Sequence, residues 1–162
     1  MKTPRFFHIF NSINIGVYIG IFFLIHLLIS IPFLWVPEES TTNESIEMIE
    51  ETGGKIWVLF ASVILAPIFE TFLYQFSVIK IIRFILKNAV LCFFISIPIS
   101  ALFFAWDHSY STHYSLNALF IGLLYAIFFF IAQYRKELPA FLFVAILHSS
   151  WNLFAFIMDE IV

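Results

Sequence analysis

The chain has 162 residues, of which 62% are hydrophobic and only 12% are charged, with a net charge of -3; soluble domains average about 25% charged residues. Its mean hydropathy is +0.98, so the composition excludes a soluble globular domain, and no basic surface for nucleic acid is present. The single cysteine excludes an intramolecular disulfide.

Five apolar segments, each near the roughly 20 residues that a spanning helix needs, follow one another along the chain. A spanning segment must satisfy its own backbone hydrogen bonds, and these segments lack the two-residue alternation of barrel strands. The sequence therefore predicts an all-α, polytopic transmembrane helical bundle with about five spans, at residues 9–35, 56–79, 88–106, 115–132 and 139–158.

We expect one membrane domain over residues 1–162, in three parts. Residues 1–36 hold the first span. Residues 37–55 are rich in glutamate and are predicted to form a solvated extracytoplasmic loop, because clustered like charges are typical of solvated segments. Residues 56–158 form a four-helix core with the candidate catalytic residues.

The basic residues are sorted by position, which predicts the orientation of the chain. Seven of the eight precede the first span or follow the second and the fourth: Lys2, Arg5, Lys80, Arg83, Lys87, Arg135 and Lys136. The positive-inside rule makes this side cytoplasmic. We therefore expect a multi-pass protein of the cell membrane with a cytoplasmic amino terminus.

Glu70 is the only acidic residue inside a predicted span, and no lysine or arginine lies in any predicted span to pair with it. An ionisable residue there costs roughly 2.5 to 3.5 kcal/mol on insertion scales, and such residues usually face a cavity or a partner. Glu70 is therefore a candidate general base. The structural alternative is a protonated glutamate that is hydrogen-bonded between helices.

Two further segments contribute complementary polar groups. His148 and Asn152 are four residues apart and project from one face of the fifth span, and Phe104 and His108 have the same spacing at the end of the third. A carboxylate, two imidazoles and a carboxamide can activate a water molecule and stabilise an oxyanion. Singly, each histidine is more often an interface residue; for His26 in the first span we expect an interhelical hydrogen bond.

Three motifs in this order resemble those of the CPBP family, also called the Abi or type II CAAX-protease family. They are Glu70-Thr71-x-x-x-Gln75, Phe104-x-x-x-His108 and His148-x-x-x-Asn152, and they cover residues 66–152. The commonest first motif of the family is Glu-Glu-x-x-x-Arg. This chain has Thr71 and Gln75 at the second and last positions of that motif, and so lacks the arginine that would bind a carboxylate in bidentate fashion.

The resemblance implies an intramembrane glutamic protease without a metal cofactor. In that reading, Glu70 and His108 activate the hydrolytic water, His148 and Asn152 stabilise the oxyanion, and Thr71, Gln75 and Phe104 support them. A zinc-dependent protease with Glu70, His108 and His148 as ligands is the runner-up. The implied partners are the lipid bilayer and a membrane-embedded or lipidated protein or peptide substrate.

Two other classes of function stay open at this stage. A non-catalytic immunity or scaffold protein of the same fold would use the polar residues to bind a partner. A transporter is less well supported, because the chain is short and a lone carboxylate in a span is poor evidence for alternating access.

The expected depth of His108 conflicts with that of Glu70. At about 1.5 Å per residue, Glu70 lies about 15 Å from Lys80, whereas His108 lies about 31 Å from Lys87. A straight, upright third span would leave His108 too far out. A tilted helix, a break near Pro98, or a start deeper in the membrane would each resolve the conflict.

Overall fold

The fold comes from a computed structural model, which describes residues 13–36, 44–135 and 137–161. Lys2, Arg5 and Lys136, on which part of the orientation prediction depends, lie outside these residues. So do Glu38 and Glu39 of the expected acidic loop.

The five expected spans are confirmed, and the protein is a multi-pass membrane protein with an all-α fold. No strand occurs in the part of the chain that the structure describes. Five helices are long and apolar enough to cross a membrane: Ile15–Phe33, Ile46–Ile85, Ala89–Asp107, Thr112–Ala132 and Ala140–Met158.

The helices are numbered along the chain. The first span is α1, Ile15–Ser30, and continues as the 3-10 turn Ile31–Trp35. The last three spans are α5, Ala89–Asp107, α6, Thr112–Ala132, and α7, Ala140–Ile161. Three of these helices begin with an N-cap residue, whose side-chain oxygen accepts a hydrogen bond from a backbone N–H of the first turn. The N-caps of α1, α5 and α6 are Asn14, Asn88 and Ser111.

The second span belongs to one long helix that changes character along its length. In order, it consists of α2, Glu44–Phe60; a first π segment, Ala61–Leu65; α3, Ala66–Glu70; a second π segment, Thr71–Ser77; and α4, Val78–Ile85. We call this whole element the long helix.

Two sequence-based boundaries of this element were wrong. The expected loop at residues 37–55 is helical from Glu44 onward, interrupted at Gly54, whose φ of 72° and ψ of 178° need a residue without a side chain. The expected end of the second span at residue 79 is too early, because the helix continues to Ile85. Lys80 and Arg83 reach the carboxamide oxygen of Gln133 on the α6 side, at 3.4 and 2.7 Å, so their charges do not end the helix.

Helix α6 is the centre of the bundle. Its spanning window is 61% buried inside the protein, against 39% for α5 and less for the other spans. Gly122 allows α6 to approach α5 closely, since a Cβ atom there would lie 3.0 Å from the Cα of Ala101 and 3.2 Å from the Cβ of Phe104. This close crossing fixes the position of Phe104, one turn before His108.

Three connections meet at the basic end of the bundle. The Arg135 guanidinium donates to the backbone carbonyl of Ile13 at 2.8 Å and lies 4.7 Å from the ring centroid of Tyr18. Arg83 bonds to Gln133, two residues before Arg135. The start of α1, the end of α4 and the α6–α7 connection therefore share one end, as the sorting of basic residues predicts.

The α5–α6 crossing gives a first testable prediction. Gly122→Ala should destabilise the protein by about 1–3 kcal/mol, because the new methyl group would press on backbone atoms that cannot move aside. Gly20→Ala is the matched control, since a Cβ atom there meets nothing within 4 Å and alanine favours the helix. Thermal unfolding in detergent should give a lower midpoint for Gly122→Ala alone. Equal midpoints for the two variants would contradict this packing.

Candidate active site

The carboxyl group of Glu70 lies between two imidazole rings from two other spans. Its Oε2 atom is 3.5 Å from Nε2 of His108 and 3.8 Å from Nε2 of His148. The three side chains are largely buried, at 18%, 14% and 7% exposure respectively. The long helix, α5 and α7 thus bring three of the sequence-predicted site residues into contact.

The extra length of the long helix explains how His108 reaches the depth of Glu70. Measured to Ile85 instead of Lys80, Glu70 lies about 22 Å from the helix end, and the 19 residues of α5 span about 28 Å. Helical side chains also lean back toward the amino terminus by about one turn, which brings the ring inward. Helix α5 is a single helix that includes Pro98, so no break there is needed.

The backbone of α5 fixes the orientation of the His108 ring. Nδ1 of His108 lies 2.8 Å from the carbonyl oxygen of Phe104, and the two rings stack with centroids 4.2 Å apart. A carbonyl only accepts hydrogen bonds, so Nδ1 carries the proton and, in the neutral ring, Nε2 faces Glu70 as an acceptor.

His148 approaches Glu70 from α7 and is packed by aromatic rings. Its ring centroid lies 4.8 Å from that of Tyr125 and 6.0 Å from that of Phe104. Among the described residues, Nδ1 of His148 has no hydrogen-bond partner. The orientation of this ring is therefore set by packing and not by a backbone bond of the kind that holds His108.

Asn152 contacts the long helix at a carbonyl that the helix itself leaves free. In the first π segment, the N–H of Ala66 donates to Ala61, five residues back, and Pro67 has no N–H. The carbonyl of Ser62 is therefore without its usual donors from residues 66 and 67. Nδ2 of Asn152 donates to that carbonyl at 2.7 Å. The contact uses one of the two N–H groups of the amide.

Thr71 and Gln75 follow Glu70 in the second π segment and are completely buried, at 0% exposure. Within the described residues, Oγ1 of Thr71 and both polar atoms of the Gln75 side chain have no hydrogen-bond partner. The supporting role expected for these two residues stays a prediction.

Sequence reasoning overlooked Tyr125, which is completely buried in α6 between two histidines. Its ring packs on His148, and its hydroxyl lies 3.3 Å from Nδ1 of His26. This contact confirms the interhelical hydrogen bond expected for His26. The sequence signal that points to Tyr125 is a hydroxyl group in the interior of an otherwise apolar span.

A zinc-dependent enzyme would need Glu70, His108 and His148 to converge as ligands on one ion. Nε2 of each imidazole lies within 3.8 Å of the same carboxylate oxygen. In residues 13–36, 44–135 and 137–161, no three His, Cys, Asp or Glu side chains are grouped as a metal ion requires. The zinc-dependent alternative stays a prediction.

Comparisons of the chain with models of protein families, with curated proteins and with solved structures give no match. Any functional proposal therefore rests on the side chains of the site and on their distances.

The contact between Asn152 and Ser62 gives a prediction that needs no activity assay. Asn152→Leu keeps the size of the side chain but leaves the partly buried Ser62 carbonyl unpaired, which should cost about 1–3 kcal/mol. Ser150→Ala, which removes only a bond to the carbonyl four residues back, is the control. Thermal unfolding in detergent should separate the two variants. An unchanged midpoint for Asn152→Leu would show that the contact contributes nothing to stability.

Proposed function

We propose that the protein is an intramembrane endopeptidase that hydrolyses a peptide bond of a membrane-associated protein or peptide with a glutamate-activated water. The observation that carries this proposal is the Glu70 carboxyl group within 3.8 Å of two imidazole nitrogens from two other spans. The resemblance of the three motifs to the CPBP family supports the same reading.

The proposed reaction begins with water as the nucleophile. Glu70 takes one proton from the water as its oxygen attacks the carbonyl carbon of the scissile bond. His108, whose proton is fixed on Nδ1, accepts a hydrogen bond from the other O–H of the water at Nε2 and so orients the water beside Glu70. The second amide N–H of Asn152 and Nε2–H of His148 donate to the oxyanion of the tetrahedral intermediate. The carbon–nitrogen bond then breaks, and the proton on Glu70 passes to the leaving amine.

The position of Glu70 limits the class of substrate. The residue lies inside the spanning segment Ile46–Ile85, so a scissile bond must enter the bilayer or its boundary to reach it. A membrane-embedded or lipidated polypeptide meets that requirement. We place the protein in the cell membrane with its basic end cytoplasmic, on the positive-inside rule.

A non-catalytic immunity or scaffold protein is the second candidate. Two observations favour it: Thr71 and Gln75 depart from the commonest family motif, and one N–H of Asn152 is engaged by a backbone carbonyl. A scaffold would tolerate loss of the Glu70 carboxylate in a complementation test as long as the bundle folds, whereas a protease would not.

Glu70→Gln should abolish turnover while leaving the fold intact. The amide keeps the shape of the side chain but cannot take a proton from water. Glu50→Gln is the matched control, because it makes the same chemical change at an exposed position of the same long helix. Thermal unfolding of each purified variant checks the fold.

Terminal-peptide mapping of membrane proteomes measures turnover even while the substrate is unidentified. Cells with the wild-type protein or with Glu50→Gln should share new termini that are missing with Glu70→Gln. A synthetic peptide across such a terminus then provides a purified-enzyme assay. Identical termini in all three strains, or full activity of Glu70→Gln on that peptide, would rule the mechanism out.

A further inference from the structure

The first span contains a buried histidine that the motif-bearing residues 66–152 do not include. His26 lies in α1 and is 1% exposed. A polar side chain at such depth in a membrane protein is normally bonded across helices. Its neighbours therefore indicate what the residue does.

His26 contacts one residue on each of two other helices. Its Nδ1 atom lies 3.3 Å from the hydroxyl oxygen of Tyr125 on α6. Its ring stacks on that of Trp151 on α7, with centroids 3.8 Å apart and an interplanar angle of 18°. The imidazole of His26 thus forms a hydrogen bond to α6 through Nδ1 and stacks on α7 through its ring face.

Both of these neighbours adjoin His148. The Tyr125 ring lies 4.8 Å from the His148 ring, and Trp151 follows His148 by three residues, about one turn, on α7. Nδ1 of His148 has no hydrogen-bond partner among the described residues, so its ring depends on packing for its orientation. The Tyr125 ring can fix the orientation of the His148 ring only if Tyr125 is itself fixed in position.

We propose that His26 is a positioning residue, which holds the His148 ring toward Glu70 through Tyr125 and Trp151. This inference rests on the proposed function and adds α1 to the helices that support the site. Displacement of a reacting group by about 1 Å can lower a rate by about 100-fold. Loss of the His26 contact should therefore lower kcat strongly and change KM little.

Three variants separate the two contacts of His26. His26→Phe keeps a ring against Trp151 and removes the nitrogen that is hydrogen-bonded to the Tyr125 hydroxyl. His26→Asn keeps a hydrogen-bonding group near the position of Nδ1 and removes the ring. Tyr125→Phe removes only a hydroxyl group and keeps the ring against His148. Ser30→Ala is the control, since Ser30 is buried on α1 one turn further on and its hydroxyl has no partner in the described residues.

Two readouts are needed, and the second is independent of activity. On the peptide identified by terminal mapping, His26→Phe and Tyr125→Phe should each lower kcat by about 10- to 100-fold with KM within about two-fold, and the double variant should be no worse than the worse single one. His26→Asn should recover part of kcat, and Ser30→Ala should match wild type.

Nitrogen-15 NMR of labelled histidines, with the His148 signals assigned by His148→Gln, should show shifted His148 signals in His26→Phe and Tyr125→Phe.

The results distinguish this inference from the proposed function. If Glu70→Gln is inactive while His26→Phe and Tyr125→Phe keep wild-type kcat, the positioning role is wrong and the protease stands. If Glu70→Gln retains turnover or no substrate terminus is found, the proposed function fails, and the NMR signals alone decide whether His26 holds the His148 ring. Unchanged His148 signals in Tyr125→Phe would overturn the inference in either case.

Discussion

The site depends on one interaction, between a buried carboxyl oxygen of Glu70 and the imidazoles of His108 and His148. An isolated carboxylate in a membrane span is costly when it faces lipid, and Oε2 of Glu70 instead lies between two imidazole rings. The two partners also bring three spans together, since the residues lie on the long helix, α5 and α7. The same arrangement encloses the glutamate within the bundle, at the position where the proposed mechanism needs a general base.

The irregular part of the long helix is the second constraint. Pro67 and the preceding π segment deprive the Ser62 carbonyl of its helical donors, and Asn152 supplies one from α7. The glutamate lies between this segment and the next π segment. Single-turn π elements are rare and are often found at functional sites. Here the irregularity links the helix of Glu70 to the helix of His148, so the backbone defect and the site are structurally connected.

The resemblance of the three motifs implies that Glu70, His108 and His148 meet, although helix length alone leaves His108 too far out. The sequence predicts the spans well because apolar runs of sufficient length have few alternatives in a bilayer. It does not predict that the second helix passes Lys80, because a basic residue is usually read as the membrane boundary and its bond to Gln133 depends on tertiary packing. Helicity after Glu44 was missed for a similar reason, since clustered charges and glycines indicate a loop. The contacts of Tyr125 and Asn152 could not be predicted from a single amino-acid sequence, because each contact joins two helices that are distant in sequence.

The most direct test of the central claim is a double-mutant cycle on the free energy of unfolding in detergent, with Glu70→Gln, His148→Gln and the double variant. Because the two side chains touch, the account predicts a coupling of about 0.5–3 kcal/mol. The same cycle with Glu50→Gln in place of Glu70→Gln should be additive. Additivity within about 0.5 kcal/mol for the Glu70 cycle would show that the two side chains do not interact, and would contradict the site proposed for this protein.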